Sequence, residues 1–268
     1  MCATCGCSDD GQVTITDPAT GEHTHPGMAH PHRHGPGEAH GHDHGAPVTR
    51  LVRLEADVLA KNVAIADANR RWFAERSAFV LNLMSSPGAG KTTLLERTIR
   101  DLGGRIAIRI VEGDPETMRD AERIRAAGAP VLQVNTGTSC HLDAAMVAEA
   151  SRRLDPPPGS LVIVENVGNL ICPALFDLGE GARAVVASVT EGDDKPLKYP
   201  HMYRGATVVL LNKTDLLPHV DFDVAAFEDR VRGLAPQAEM LKISARTGKG
   251  LGDWYQWLGS RIEPLRTR

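Results

Sequence analysis

Ser85-Ser86-Pro87-Gly88-Ala89-Gly90-Lys91-Thr92-Thr93 (SSPGAGKTT, residues 85–93) decides how the rest of the chain is read. It follows the apolar run AFVLNLM (78–84) and opens the helical pattern KTTLLERTIRDL (91–102). A strand, a glycine-rich turn and a helix in that order form a phosphate-binding loop. Gly88 and Gly90, around Ala89, let the backbone curl so that its N–H groups converge on phosphate oxygens, and the helix N-terminus adds positive potential. Lys91 is placed to reach the outer phosphates and the Thr92 hydroxyl to ligate Mg²⁺, and Thr93 is counted with them among the nucleotide-binding residues. One position departs from the pattern G-x-x-x-x-G-K-[ST]: Ser85 stands where the first glycine is expected.

Outward from the loop, strand-like and helix-like segments alternate. RIAIRIV (105–111), PVLQVN (130–135), SLVIVEN (160–166), ARAVVASVT (182–190), ATVVLLN (206–212) and AEMLKIS (238–244) read as strands. TMRDAERIRAAG (117–128), LDAAMVAEASRRL (142–154), AAFEDRVRGL (225–234) and GLGDWYQWLGSRI (250–262) read as helices. Near-continuous apolar runs are those of strands buried on both faces. The fold class is therefore α/β: a phosphate-loop nucleotide-binding domain with a mostly parallel sheet and helices on both faces. Leu51, Leu54, Val58 and Leu59 recur at helical spacing, so one or two leading helices are expected over 50–76, at the start of a domain spanning 50–268.

Ligands of such sheets bind at the carboxyl ends of the strands, and the residues there carry chemistry. Asn212-Lys213-Thr214-Asp215 follows one strand. The Asp215 carboxylate can accept from N1–H and the 2-amino group of guanine; adenine offers neither donor, and so would leave the carboxylate unpaired. Ser244-Ala245-Arg246, after the next strand, matches the loop that flanks guanine in such proteins. The nucleotide is thus GTP, and an ATP-using kinase is the weaker reading. Glu165, in Glu165-Asn166-Val167-Gly168, and Asp114, in VEGD (111–114), are the carboxylates placed to hold Mg²⁺. With Lys91 and Thr92 they form the candidate catalytic set. No glutamine stands where it would position a water and no arginine finger is identifiable, so unassisted hydrolysis is expected to be slow.

The N-terminus is of another kind. MCATCGC puts Cys2, Cys5 and Cys7 within seven residues of a chain that has five cysteines. HTHPGMAHPHRHGPGEAHGHDH (23–44) then packs His23, His25, His30, His32, His34, His40, His42 and His44 into 22 positions. Residues 1–49 have almost no Leu, Ile or Phe, and 8–47 are expected to be disordered without metal. The remaining cysteines, Cys140 beside His141 and Cys172 seven residues beyond Glu165, sit on loops leaving the same sheet edge, a second candidate set of soft ligands. A net charge of -4 without a basic stripe gives no nucleic-acid footprint. No apolar run approaches the roughly 18 residues of a membrane span. No secretory leader is legible, and clustered cysteines suit a reducing cytoplasm.

Together MCATCGC, the histidine tract, SSPGAGKTTLLE, ENVGNLICP, NKTD and the Cys140-His141 pair resemble the HypB family of hydrogenase nickel-incorporation GTPases, over essentially the whole chain. The resemblance implies a GTP-hydrolysing metallochaperone that dimerises with GTP and delivers Ni²⁺ to the [NiFe]-hydrogenase large-subunit precursor with a HypA-type nickel chaperone. It places a tight Ni²⁺ site on Cys2, Cys5, Cys7 and the terminal amine, and a Zn²⁺ or Ni²⁺ site on Cys140, His141 and Cys172. Family members share the SSPG form of the loop, which accounts for Ser85. The related urease-type GTPases carry Cys-Pro-His in their metal loop, and this sequence has Cys140-His141 with a separate Cys172 instead. A nickel store in which GTP only stabilises the fold is a reading from another class.

Imidazoles titrating near pH 6.5 are mostly neutral at pH 7 and free to ligate. Nickel loading of the tail, followed by equilibrium dialysis, is therefore expected to fall steeply between about pH 7.5 and 5.5 as protons compete. Loading that stays level across that range would exclude the histidine tract as a reservoir.

Overall fold

The structure, a computed structural model, describes residues 15–16, 23–24, 45–114, 119–136 and 141–267, with side chains from residue 58 onward. Contacts divide the chain into an N-terminal unit ending at Val58 and a larger one, Leu59–Arg268. In the first, Ile15–Thr16 and His23–Thr24 pair as a two-residue antiparallel ladder. Cys2, Cys5, Cys7 and the histidines from His25 to His44 lie outside the described residues, as does the expectation of disorder there.

The larger unit holds a seven-stranded, all-parallel sheet. In chain order its strands are β1 (Phe79–Ser85), β2 (Ile108–Asp114), β3 (Val131–Asn135), β4 (Leu161–Glu165), β5 (Ala182–Ser188), β6 (Val208–Asn212) and β7 (Glu239–Lys242). In space they run β3-β2-β4-β1-β5-β6-β7. Every segment read as a strand from its apolar run forms one. From β1 the chain moves to β2 and β3, returns to insert β4 between β2 and β1, then crosses to the other side. That reversal leaves a crevice at the carboxyl ends of β1 and β4.

Helices cover both faces: α1 (Gly45–Glu75), α2 (Lys91–Leu102), α3 (Arg119–Ala127), α4 (Ala144–Leu154), the short α5 (Cys172–Leu175), α6 (Lys195–Lys198) and α7 (Pro200–Arg204), then α8 (Val224–Leu234) and α9 (Leu251–Arg266). The leading segment is one helix, and it starts earlier than its hydrophobic period predicts. Side chains alternate along β1 as a pleated strand requires. Phe79, Leu81 and Leu83 pack with Leu94, Leu95, Ile124, Trp254 and Trp257 of α2, α3 and α9. Val80 meets Phe73 of α1 and Val147 of α4 on the opposite face. Met84 extends that face toward Tyr203 and Phe227 of α7 and α8. Among the described residues no helix is long and apolar enough to cross a membrane.

The C-terminal part of α1 is fastened by polar bonds as well. Asn62 Nδ2 donates to the carbonyl of Asp177 at 2.7 Å, and Asn62 Oδ1 accepts the Ala144 N–H at 2.9 Å. Asn69 Nδ2 donates to the carbonyls of Ala144 and Leu178 at 2.8 and 3.0 Å. The helix thus bridges the start of α4 and the loop after α5. Gly179 permits the approach: its φ is +85°, and a Cβ there would lie 2.5 Å from the Ala66 carbonyl oxygen and 2.7 Å from Asn69 Cβ. Gly179→Ala is therefore expected to destabilise the domain by about 3 kcal/mol, a left-handed backbone penalty plus a clash with main chain. An unchanged urea midpoint would show that the loop yields instead.

Candidate nucleotide and metal site

The loop after β1 and the ends of β2 and β4 open onto one cleft of about 480 Å³. Gly88, Gly90, Lys91, Thr92 and Thr93 line it from the loop side, Asp114 and Glu165 from the strand ends. Gly90, φ +99°, is the N-cap of α2 and sits so close to Asn212 that a Cβ would fall 2.6 Å from its Nδ2. Lys91 Nζ donates to Ser85 Oγ at 2.8 Å. The residue that breaks the glycine pattern therefore gives the buried lysine a neutral partner. Burial pulls the Lys91 ammonium below its ordinary value, and Glu165 opposes that pull.

Thr92 Oγ1 donates to Glu165 Oε1 at 2.8 Å, and Glu165 Oε2 is buried without a hydrogen-bond partner. Burial pushes the Glu165 carboxyl up to about 7, against the pull of Lys91 and Thr92. A hydroxyl and a buried carboxylate with one oxygen unsatisfied form a hard-oxygen donor set, which suits Mg²⁺. Glu112 lies directly across from Glu165 in the β2–β4 register. Burial, then the charge of Glu165, raises it to about 8.

At the other end of the loop, Asn212 acts as a brace. Its Nδ2 donates to the carbonyl of Ala89 at 2.9 Å and its Oδ1 accepts the Ala245 N–H at 3.0 Å. Lys213, at φ +60°, donates from Nζ to the Gly88 carbonyl at 2.7 Å. Asp215 Oδ1 accepts from Ser244 Oγ at 2.6 Å, and its Oδ2 accepts from Arg246 Nη2 and Nε at 2.7 and 3.2 Å. The Ser244 bond and then the Arg246 bond hold the Asp215 carboxyl below its usual range. The base-recognition residues read from the sequence thus form one hydrogen-bonded group that reaches the phosphate loop.

His141 and Cys172 come from different loops that meet. The His141 ring stacks on Phe176 with centroids 3.9 Å apart and 25° between planes. Phe176 caps α5, whose first residue is the fully buried Cys172. Burial lowers the His141 pKa, which favours the neutral imidazole a metal needs. Cys140 lies outside the described residues, and among those described no cluster of three metal-ligating side chains forms. His23 falls in the two-residue ladder, without a described side chain.

The nucleotide-binding-domain model described as CobW/HypB/UreG matches residues 79–242. The hydrogenase maturation factor HypB of Azotobacter vinelandii is 47% identical over an alignment covering 99% of this chain and 97% of that one. That of Escherichia coli K12 is 51% identical over 80% of this chain and 74% of its own. The chain belongs to the HypB family of hydrogenase maturation factors. Its domain is accordingly a phosphate-loop GTPase domain. Solved HypB structures from Archaeoglobus fulgidus and from Helicobacter pylori, the latter in complex with nickel, each superpose with a TM-score of 0.71. They are 38% and 37% identical to this chain, cover 76% of it, and are themselves covered to 100% and 97%.

Sequence reading alone misses several residues of this HypB-family site. Asp120 and Arg123 of α3 also line the cleft, and Arg123 is held by Glu96, Asp120 and Thr93. Their only sequence signal is that they follow VEGD. Glu112 carries the signal of a charge inside a strand.

Asp215→Asn removes an acceptor and adds a donor facing the base. Its GTP affinity is expected to fall by about tenfold or more, while xanthosine triphosphate, with an acceptor at C2, gains. Competition against a fluorescent guanine nucleotide measures both, and an unchanged preference would remove Asp215 from base recognition.

Proposed function

We propose that the protein is a GTP-gated nickel metallochaperone, which binds Ni²⁺ and delivers it to the [NiFe]-hydrogenase large-subunit precursor in concert with a HypA-type nickel chaperone. In this reading residues 1–49 form the nickel-holding tail, with Cys2, Cys5 and Cys7 as the tight site and the histidines as reservoir. Residues 50–268 form the GTPase, which acts in the cytoplasm as a GTP-dependent homodimer. Cys140, His141 and Cys172 hold Ni²⁺ or Zn²⁺ on the cleft side of the sheet.

The observation that carries the reading is that the His141 loop and the helix begun by Cys172 touch through Phe176, while Cys172 lies in the same connection as Glu165 and Gly168 of the cleft. Gly88, Gly90 and the α2 N-terminus receive the phosphates, Lys91 neutralises the outer ones, and Asp215 and Asn212 hold the guanine. Thr92, Glu165 and Asp114 are the residues to hold Mg²⁺, which when bound supplies positive charge at the phosphates being cleaved. A segment that responds to the outer phosphate then changes the distance between Cys140-His141 and Cys172. Metal affinity follows nucleotide state only if the two states bind metal differently.

The test titrates Ni²⁺ into the full chain carrying Cys2→Ala, Cys5→Ala and Cys7→Ala, under GDP and then under a non-hydrolysable GTP analogue. Thiolate-to-nickel absorbance then reports on Cys140 and Cys172 alone. A shift of about tenfold, about 1.4 kcal/mol of coupling, is expected, with Cys172→Ala abolishing the signal. Coincident curves would move the reading to nickel storage with a structural nucleotide.

A further inference from the structure

Asn82 is a primary amide in the middle of the central strand, at 0% exposure between Leu81 and Leu83. An amide buried there costs stability unless it is hydrogen-bonded, and its partners say what it is for. Asn82 Oδ1 accepts from Asn166 Nδ2 at 3.3 Å. Its Nδ2 donates to Glu180 Oε1 at 3.4 Å.

Asn166, 1% exposed, immediately follows the cleft carboxylate Glu165. Its Oδ1 accepts the Val167 N–H at 3.0 Å and the Leu142 N–H at 3.1 Å. Leu142 adjoins His141. At the far end, Glu180, 8% exposed, accepts the Leu178 N–H at 2.7 Å and pairs with Arg183 Nε at 2.5 Å. Arg183 donates from Nη1 and Nη2 to the carbonyls of Ala174 and Phe176, at 3.2 and 3.3 Å. Those carbonyls belong to the segment that carries Cys172. One run of buried polar atoms therefore starts beside the nucleotide cleft, branches to the His141 loop, crosses the sheet core through Asn82, and ends on the Cys172 helix.

We infer that Asn166, Asn82 and Glu180 are positioning residues that couple the nucleotide cleft to both metal-bearing loops. The inference rests on the reading of a nucleotide-gated metal site. None of the three amide or carboxyl groups can change partners alone, because each move strands a buried donor or acceptor of the next. A displacement of 165–168 by phosphate therefore carries the Leu142 N–H directly and the Cys172 helix through Asn82. The run passes through Asn82 alone between the cleft side and the Glu180–Arg183 side, so Asn82 is the position at which to cut it.

A passive core network would give the same contacts but a different phenotype, and the nickel titration above separates the two. It is repeated on Asn82→Leu in the triple-alanine chain, with GDP and GTP-analogue affinities measured alongside. Asn82→Leu is expected to keep nucleotide affinities within about threefold of the parent. It should still show thiolate–nickel absorbance, while the tenfold ratio between nucleotide states shrinks to about twofold or less. Linkage requires the effect of Ni²⁺ on GTP-analogue affinity to shrink by the same factor. A lowered melting temperature with the tenfold ratio intact would overturn the coupling role and leave nucleotide gating standing. A parent chain with no ratio would overturn both. Should Asn82→Leu fail to fold, Glu180→Gln weakens the hold on Arg183 at equal volume, and an unchanged ratio there overturns the inference equally.

Discussion

A buried ammonium and a buried carboxylate at the head of two adjacent strands set the terms for this domain. Lys91 and Glu165 are both withdrawn from water, and each is pushed by burial toward its neutral form. Such groups cost stability unless they are paired and hydrogen-bonded, and here each has one hydrogen bond and the other's charge. Their placement requires β4 next to β1, which the return from β3 provides. It also requires a fixed loop, and Asn212 fixes it: one amide ties the phosphate loop to the loop at Ala245. The sheet order, the glycine at 90 and the asparagine at the end of β6 all serve to position this charged site.

The frame was legible because its signals are local. Seven apolar runs gave seven strands, and KTTLLERTIRDL begins and ends where α2 does. A phosphate loop read from SSPGAGKTT appears with Ser85 in a role that the glycine pattern does not contain. The short elements were not legible: α5, α6, α7 and the 3₁₀ turn at Thr214–His219 complete too few turns to show a period. Nor were the polar bridges. Asn62, Asn69, Asn82 and Asn166 join residues 24 to 115 positions apart, and no spacing rule connects them. Asn82 passed as part of the apolar run AFVLNLM, and its partners exist only once β1, β4 and β5 are side by side.

Both loops that bear His141 and Cys172 are held from two sides. From within the sheet they are reached by Asn166 and Arg183; from outside they are bridged by α1 through Asn62 and Asn69. The proposed metal site draws its ligands from these separate loops, and such bonds fix the geometry in which the loops present them. The amides of Asn62, Asn69 and Asn166 supply this support without charge, and the one cation that reaches the Cys172 segment among these supports, Arg183, is paired with Glu180.

The pairing of Arg246 with Asp215 has a consequence of its own. A guanidinium and the N1–H/2-amino edge of guanine are both planar forks of N–H donors, so the side chain imitates the base. In the proposed role of Asp215 at guanine, nucleotide entry becomes the exchange of one fork for another. Arg246 is 75% exposed, so giving up its pair with Asp215 costs no more than the small worth of a surface ion pair. A base without that fork, such as adenine, cannot repay the displaced arginine. In the proposed role of Asp215 at the base, an internal competitor thus adds modestly to the selectivity that comes from fit.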